Sequence, residues 1–253
     1  MKKIKYLSLL PLLLLTSCSG FTYESEGYQK RTEEVTYFEE TITSIDLGWV
    51  NGKVTFEKLY GDDQRLSFYE SDTKYPLYYK VKDNELSIRF VKSGTSEKAV
   101  NGLTKDLTIL VPDKLVNFVI DTVETDVVFD DFIDPETMKV NGVNSVYTFG
   151  SYMAKETELN FVNCSFTCAS FDCHLKSKMG EPITHKVKMD FIASSATLKI
   201  TPNEGIGYQV KTSGVDNTFV STVNNNELKY GEGFIDIDFK GINSQLTINR
   251  WDE

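Results

Sequence analysis

Six stretches of this chain share one pattern. A short run alternates apolar and polar residues, a few small or polar residues follow, and a second alternating run closes the unit. The copies fall at 118–129, 138–149, 159–171, 188–200, 208–220 and 235–248, and 45–56 resembles them. From the second copy on, the starts are 21, 29, 20 and 27 residues apart. Alternation with period two marks a half-buried strand, because successive side chains point to opposite faces. A unit this short cannot bury its apolar side alone, so copies must stack on one another. No segment carries an apolar stripe at helical spacing over three turns. The pattern predicts an all-β, repeat-built domain over 41–253, β-solenoid-like with stacked rungs. The alternative is a two-sheet β-sandwich of short antiparallel strands, and periodicity alone leaves both open.

Before the first clear copy the strand signals are more varied. Asn51-Gly52 supplies a turn inside 45–56. The segments 78–81 and 86–90 flank Lys82-Asp83-Asn84-Glu85, which reads as a hairpin. A polar loop covers 93–105, and the strand 107–111 stops at Pro112. A first strand could begin within 35–40.

The amino terminus has a different character. Three lysines among the first five residues precede an apolar run over 6–15, about the length of a signal-peptide core and too short to span a bilayer. Leu15-Thr16-Ser17-Cys18 then looks like the lipobox of bacterial lipoproteins. Small residues admit the peptidase, and the thiol of Cys18 is the nucleophile that takes a diacylglycerol. The expectation is a signal peptide over 1–17, lipidation at Cys18, and a tether over 18–40. The protein would then be extracytoplasmic, its membrane partner reached through the lipid.

Composition narrows the chemistry. The whole chain carries a net charge of −10, and removing the lysine-bearing leader takes it to −13. Nucleic-acid binding is not expected, since phosphate contacts need clustered Lys and Arg. Besides Cys18 the cysteines are Cys164, Cys168 and Cys173, an odd number whose spacing matches no common zinc pattern. On a strand Cys164 and Cys168 share a face, and the expectation is that they are buried small residues. The two histidines, His174 and His185, are expected at the surface. Asp126, Asp130, Asp131, Asp134 and Glu136 could hold calcium but read better as a solvated turn. The stretch 236–241 fails as a calcium loop, because Lys240 takes its fifth position and Thr247 stands where glutamate is needed. The glycines of 48–53 are spaced too closely for a phosphate loop. No catalytic residue, metal ligand or cofactor-binding residue is assigned. Tyr69, Tyr75, Tyr78 and Tyr79 cluster in one region, where core packing is favoured over an exposed binding ladder.

With order and spacing preserved over roughly 41–250, the chain resembles the bacterial β-strand-repeat proteins grouped as "putative adhesin", a domain of unknown function. The stretches that carry the resemblance are 44–47 with 52–56, 83–88, 107–112, 126–129, 205–210 with Ser213-Gly214, and 230–233. The resemblance implies a right-handed parallel β-solenoid-like or repeat-β architecture, no established activity and no catalytic residues. The cysteine-rich copy at 159–174 departs from the pattern, where hydroxyl or small aliphatic residues are expected. The functional expectation is a lipid-anchored, non-enzymatic binding or structural role at the cell surface, with envelope polymer or a surface protein as partner. Two alternatives predict different sites: a carbohydrate-active β-solenoid enzyme needs an acid-lined groove, and a redox or metal-handling lipoprotein needs converging thiols.

Overall fold

The computed structural model describes residues 21–60, 64–72, 74–112, 115–130, 135–152, 154–171, 184–200, 207–231 and 235–250. The leader with Cys18, and Asp131, Asp134, Cys173 and His174, lie outside the described residues. Seven strands precede Pro112: β1 (Gln29–Lys30), β2 (Thr36–Tyr37), β3 (Ser44–Lys58), β4 (Ser67–Glu70), β5 (Tyr78–Lys82), β6 (Glu85–Arg89) and β7 (Leu107–Val111). After it come β8 (Asn117–Phe129), β9 (Thr137–Val143), β10 (Val146–Tyr152), β11 (Glu156–Val162), β12 (Ser165–Phe171), β13 (His185–Ile192) and β14 (Ser195–Ile200). The last are β15 (Tyr208–Val215), β16 (Thr218–Ser221), β17 (Lys229–Tyr230), β18 (Ile235–Ile242) and β19 (Gln245–Arg250). All of them belong to one continuous sheet.

That sheet is a stack of two-armed rungs. In β3 and β8 a single long strand bends to make both arms, and elsewhere two strands meet at a corner. First arms pair in parallel and in register along β6, β3, β8, β9, β11, β13, β18 and β15. Second arms do the same along β7, β3, β8, β10, β12, β14, β19 and β16. The expected rung stack is therefore present, and each sequence copy is one rung. Its spatial order differs from the chain order at two places. At one end β3 lies between the later β6–β7 rung and β8. The last copy, β18–β19, lies between β13–β14 and β15–β16, so β15–β16 becomes the end of the stack. The chain turns back there through β17, which pairs antiparallel with β15 at Tyr208↔Tyr230. A Cβ at Gly207 would lie 1.8 Å from the Tyr230 carbonyl oxygen, so the close return requires glycine.

The corners explain why small and amide residues sit mid-copy. Glu124, Asn144, Asn163, Ala193, Asp216 and Asn243 all adopt φ near +50°, the left-handed region that Asn and Asp tolerate best. Of the residues that follow them, Thr125, Ser145, Cys164, Ser194 and Ser244 are buried and Asn217 is half-buried. The N–H of Thr125 donates to Ser145 Oγ at 3.2 Å, and that of Cys164 to Ser194 Oγ at 3.0 Å. Ser194 N–H donates to Ser244 Oγ, and Ser244 N–H to Asn217 Oδ1, both at 3.3 Å. The hydroxyls of Thr125, Ser145, Ser194 and Ser244 in turn donate to the carbonyl two residues back, at 2.7–3.1 Å. The corner thus satisfies backbone groups that a tight bend would otherwise bury unpaired.

Between the arms lies one core of in-register rows. Phe56 stacks on Phe129 with centroids 4.2 Å apart, and Phe129 meets Phe149 at 4.4 Å. Phe118 on a first arm touches Phe56 and Phe129 on second arms at 5.6 Å, so the inner sides of the two arms meet directly. Sizes are matched across the core. Gly142 makes room for Tyr147, whose hydroxyl would be 2.1 Å from a Cβ there and which shares a 2.5 Å hydrogen bond with Thr122.

The β3 end is closed by antiparallel strands. β5 pairs with β6 and β4 with β7, and these are covered by β1 and β2. The expected hairpin at 82–85 is there, with Asp83 and Asn84 both at positive φ. Within the cap Glu70 is paired with Arg31 and Lys105, each at 2.9 Å, and the three side chains are at most 4 % exposed. Lys105 also donates to the carbonyls of Tyr75 and Phe90 and lies over the rings of Trp49 and Phe90. Burial pulls its ammonium below the usual lysine pKa, against the upward pull of Glu70.

The expected tether over 18–40 is corrected from residue 21 onward. Phe21 N–H donates to Thr95 O, Arg31 N–H to Leu77 O, and Phe38 N–H to Leu66 O, at 3.0–3.1 Å. Phe38 and Arg31 are buried. A polar composition suggested a free linker, but long-range pairing with the cap strands holds this segment down.

Candidate functional site

The stack presents two outer faces of opposite chemistry. On the first arms, outward residues form rows across the rungs. One row runs Asp46, Val119, Lys139, Glu158, Lys188, Asp238 and Lys211. Charges on this face pair within and between rows: Lys188 with Asp190 at 3.1 Å and Glu158 at 3.4 Å, Lys211 with Asp236 at 3.6 Å, and, in the adjacent row, Lys186 with Glu156 at 3.6 Å. The Asn160 amide, then Lys139 and Lys188, hold Glu158 below the usual carboxylate pKa, while Asp190 raises that of Lys188. Asp236 and Asp238 thus belong to a strand face, not a cation loop. Next to the corner, this face carries an aliphatic row of Val50, Val123, Val143, Val162, Ile192, Ile242 and Val215.

Where the chain enters the fold, residues 21–23 lie across one end of that row. They help enclose an apolar groove of ≈ 250 Å³ with Val50, Phe90, Val91, Val123 and Val143. Arg89, ion-paired with Asp46, forms its polar wall. The Tyr23 hydroxyl donates to Val91 O at 2.9 Å, and burial pushes its pKa up to about 12.

The second-arm face is different. Thr108, Thr55, Val128, Thr148, Thr167, Thr197, Thr247 and Val220 stand in register on eight successive strands. They are flanked by Val146, Ser165 and Ser195 on one side and by Gly150 and Ala169 on the other. On β10 and β12 the described outward positions of this face are uncharged, whereas the rungs beside them carry Asp126 on β8, Asp130 just after it, and Lys199 on β14. Thr148, Thr167 and Val146 are exposed. This row of β-branched residues was present in the sequence as the central outward residue of each copy's second run. It becomes visible only once the copies are aligned on their corners.

The cysteine cluster resolves into separate roles. Cys164 occupies the corner position that serine holds in neighbouring rungs: its thiol donates to Val162 O at 3.3 Å and accepts Ser145 N–H at 3.4 Å. Cys168 lies in the core row between Phe149 and Leu198. Both are free and buried, and burial raises both thiol pKa values, that of Cys168 to about 12. Among the described residues no group of three or more His, Cys, Asp or Glu side chains is placed to hold a metal ion. The surface position expected for His185 is corrected: it is fully buried at the start of β13, edge-on to Phe171, with Nδ1 donating to Ala154 O at 2.7 Å. Of the four clustered tyrosines, Tyr75 and Tyr79 pack against the core, Tyr78 is half-buried, and Tyr69 is exposed. Asp126 and Asp130 stand on and just after β8.

The fold defines an all-β, parallel two-armed rung stack with an antiparallel cap. No family model matches the sequence, and no curated protein matches it. The chain is similar to several solved structures. A "putative cell adhesion protein" from Clostridium sporogenes is 15 % identical over 86 % of this chain and 98 % of its own, with a TM-score of 0.44. A "putative adhesin" from Bacteroides fragilis is 15 % identical over 85 % and 95 %, with a TM-score of 0.47. A "putative adhesin" from Parabacteroides distasonis is 10 % identical over 88 % and 98 %, with a TM-score of 0.39. Among the described residues no helix is long and apolar enough to cross a membrane.

Proposed function

We propose that this chain is an extracytoplasmic protein, anchored to the membrane by lipid on Cys18, that binds an envelope polymer or a surface protein without catalysing a reaction. The observation that carries the reading is the second-arm face. Its hydroxyls recur on β10, β12, β14 and β19 at the ~4.8 Å strand spacing, each offers a donor and acceptors, and no charge stands among the described outward positions of β10 and β12. The opposite face already satisfies its own charges, and exposed ion pairs of that kind contribute little. A mature charge of −13 works against anionic partners in general, so an uncharged face is where a neutral partner can approach. Two acyl chains supply the pair of membrane signals that stable anchoring needs.

Co-sedimentation of residues 19–253 with isolated cell envelopes at physiological salt tests this. Saturable pelleting that survives added salt is expected, and Thr148→Lys/Thr167→Lys/Thr197→Lys together should abolish it. Lys139→Glu/Lys188→Glu on the other face should not. Absence of pelleting, or a triple variant that pellets like the parent, overturns the reading.

A further inference from the structure

From its first described residue the chain is fastened to the cap. Phe21 N–H donates to Thr95 O at 3.1 Å, and Gly94 N–H donates to Phe21 O at 2.6 Å. The Phe21 ring lies 5.7 Å from that of Phe90. Tyr23 N–H donates to Ser93 Oγ at 3.1 Å, and that hydroxyl donates to Tyr23 O at 2.6 Å. With the Tyr23 hydroxyl on Val91 O, these bonds tie residues 21–23 to the segment 90–95, the start of the loop that leads from β6 to β7. Phe21 follows Cys18 by three residues. A fully extended chain covers at most ~3.6 Å per residue, so the two Cα atoms are no more than about 11 Å apart.

We propose that the corner of the cap formed by Phe21 and the loop 92–104 lies directly against the lipid headgroups, and that the β15–β16 end of the stack is the part held away from them. This rests on the lipidation of Cys18 proposed above. Each methylene of an acyl chain buried in the bilayer contributes nearly as much as a whole lysine near an anionic surface, and two chains bury many of them. The covalent span therefore sets the apposition, and local charge does not. Lys92, Lys98, Glu97, Glu24 and Glu26, exposed around this corner, nearly cancel. From the β6–β7 rung to the β15–β16 rung the stack advances seven strand spacings, ~34 Å at ~4.8 Å each. A tether of two dozen residues would let the domain tumble freely. A span of three residues does not.

The test uses the full-length lipoprotein with Cys173→Ser, reconstituted in phosphatidylcholine vesicles containing a headgroup nitroxide lipid. Fluorophores are placed on Ser96→Cys, in the loop, and on Asn225→Cys, beyond β16. Quenching at position 96 should exceed that at 225 several-fold. Insertion of twenty Gly/Ser residues between Gly20 and Phe21 should remove most of the difference. Equal quenching at the two positions overturns the proposal, as does an insertion that changes nothing. The mass of the amino-terminal peptide separates the two readings. An acylated Cys18 with equal quenching defeats the apposition alone, and an unmodified Cys18 defeats the anchor and the apposition together.

Discussion

The cap and the rung stack solve the same problem in opposite ways. In the stack, from β8 onward, each rung repeats one local device: a left-handed corner residue, a small polar side chain that bridges to the next rung, and inward apolar residues in register. In the cap, every stabilising contact occurs once. Glu70 is held by Arg31 from the entering segment and by Lys105 from the loop before β7, and the strands around it run antiparallel. Repetition spreads stability over many equivalent contacts, so no single one dominates. A one-off buried ion network concentrates it, because removing one partner leaves the others charged and dry.

The sharpest break in this comparison is Glu70→Ala. It strands Lys105 and Arg31 without their carboxylate and should cost about 3–5 kcal/mol, read by urea unfolding with Trp49 fluorescence reporting on the cap. Within the stack, Gly142→Ala pushes a methyl group onto the Tyr147 hydroxyl and should cost about 1–3 kcal/mol. Adding Tyr147→Phe should recover part of that loss, and no recovery would mean that the clash is not with the hydroxyl. Cys164→Ala leaves Ser145 N–H without its acceptor and should cost on the order of 1 kcal/mol. Cys164→Ser keeps the corner bonds and should stay within about 0.5 kcal/mol of the parent. At pH 8 neither Cys164 nor Cys168 should react with a thiol reagent in the folded protein. Raised thiol pKa values leave little thiolate below the pKa, and both should react after denaturation. The smallest effect belongs to the charged face: Lys139→Ala, in an exposed 3.8 Å pair with Glu158, should change stability by less than about 0.5 kcal/mol.

Several elements were legible in the residues because their causes are local. The alternation in each copy, the hairpin at Asp83-Asn84 and the strand ending at Pro112 all follow from neighbours a few positions apart. The burial of Cys164 and Cys168 followed from their even spacing, which puts both on one face, and from the tendency of cysteine to pack as a small core residue. The serine-like role of Cys164 did not, since it depends on Ser145 and Ser194 in adjoining rungs. The threonine face was likewise hidden. Its members are spaced unevenly, and connections of different length separate the copies.

The alternating runs and the small mid-copy residues by themselves determine that this chain forms paired arms with a bend between them, because side-chain parity and left-handed backbone preference act within one copy. Only the tertiary structure decides the stacking order, since the corner pattern of β18–β19 fits either next to β13–β14 or at the end, and the antiparallel return of β17 selects the former. It also decides that residues 21–40 belong to the fold and that His185 is buried. Arg31, Glu70 and Lys105 are distant in sequence, and the two buried cations keep a carboxylate partner only because the fold brings Glu70 between them.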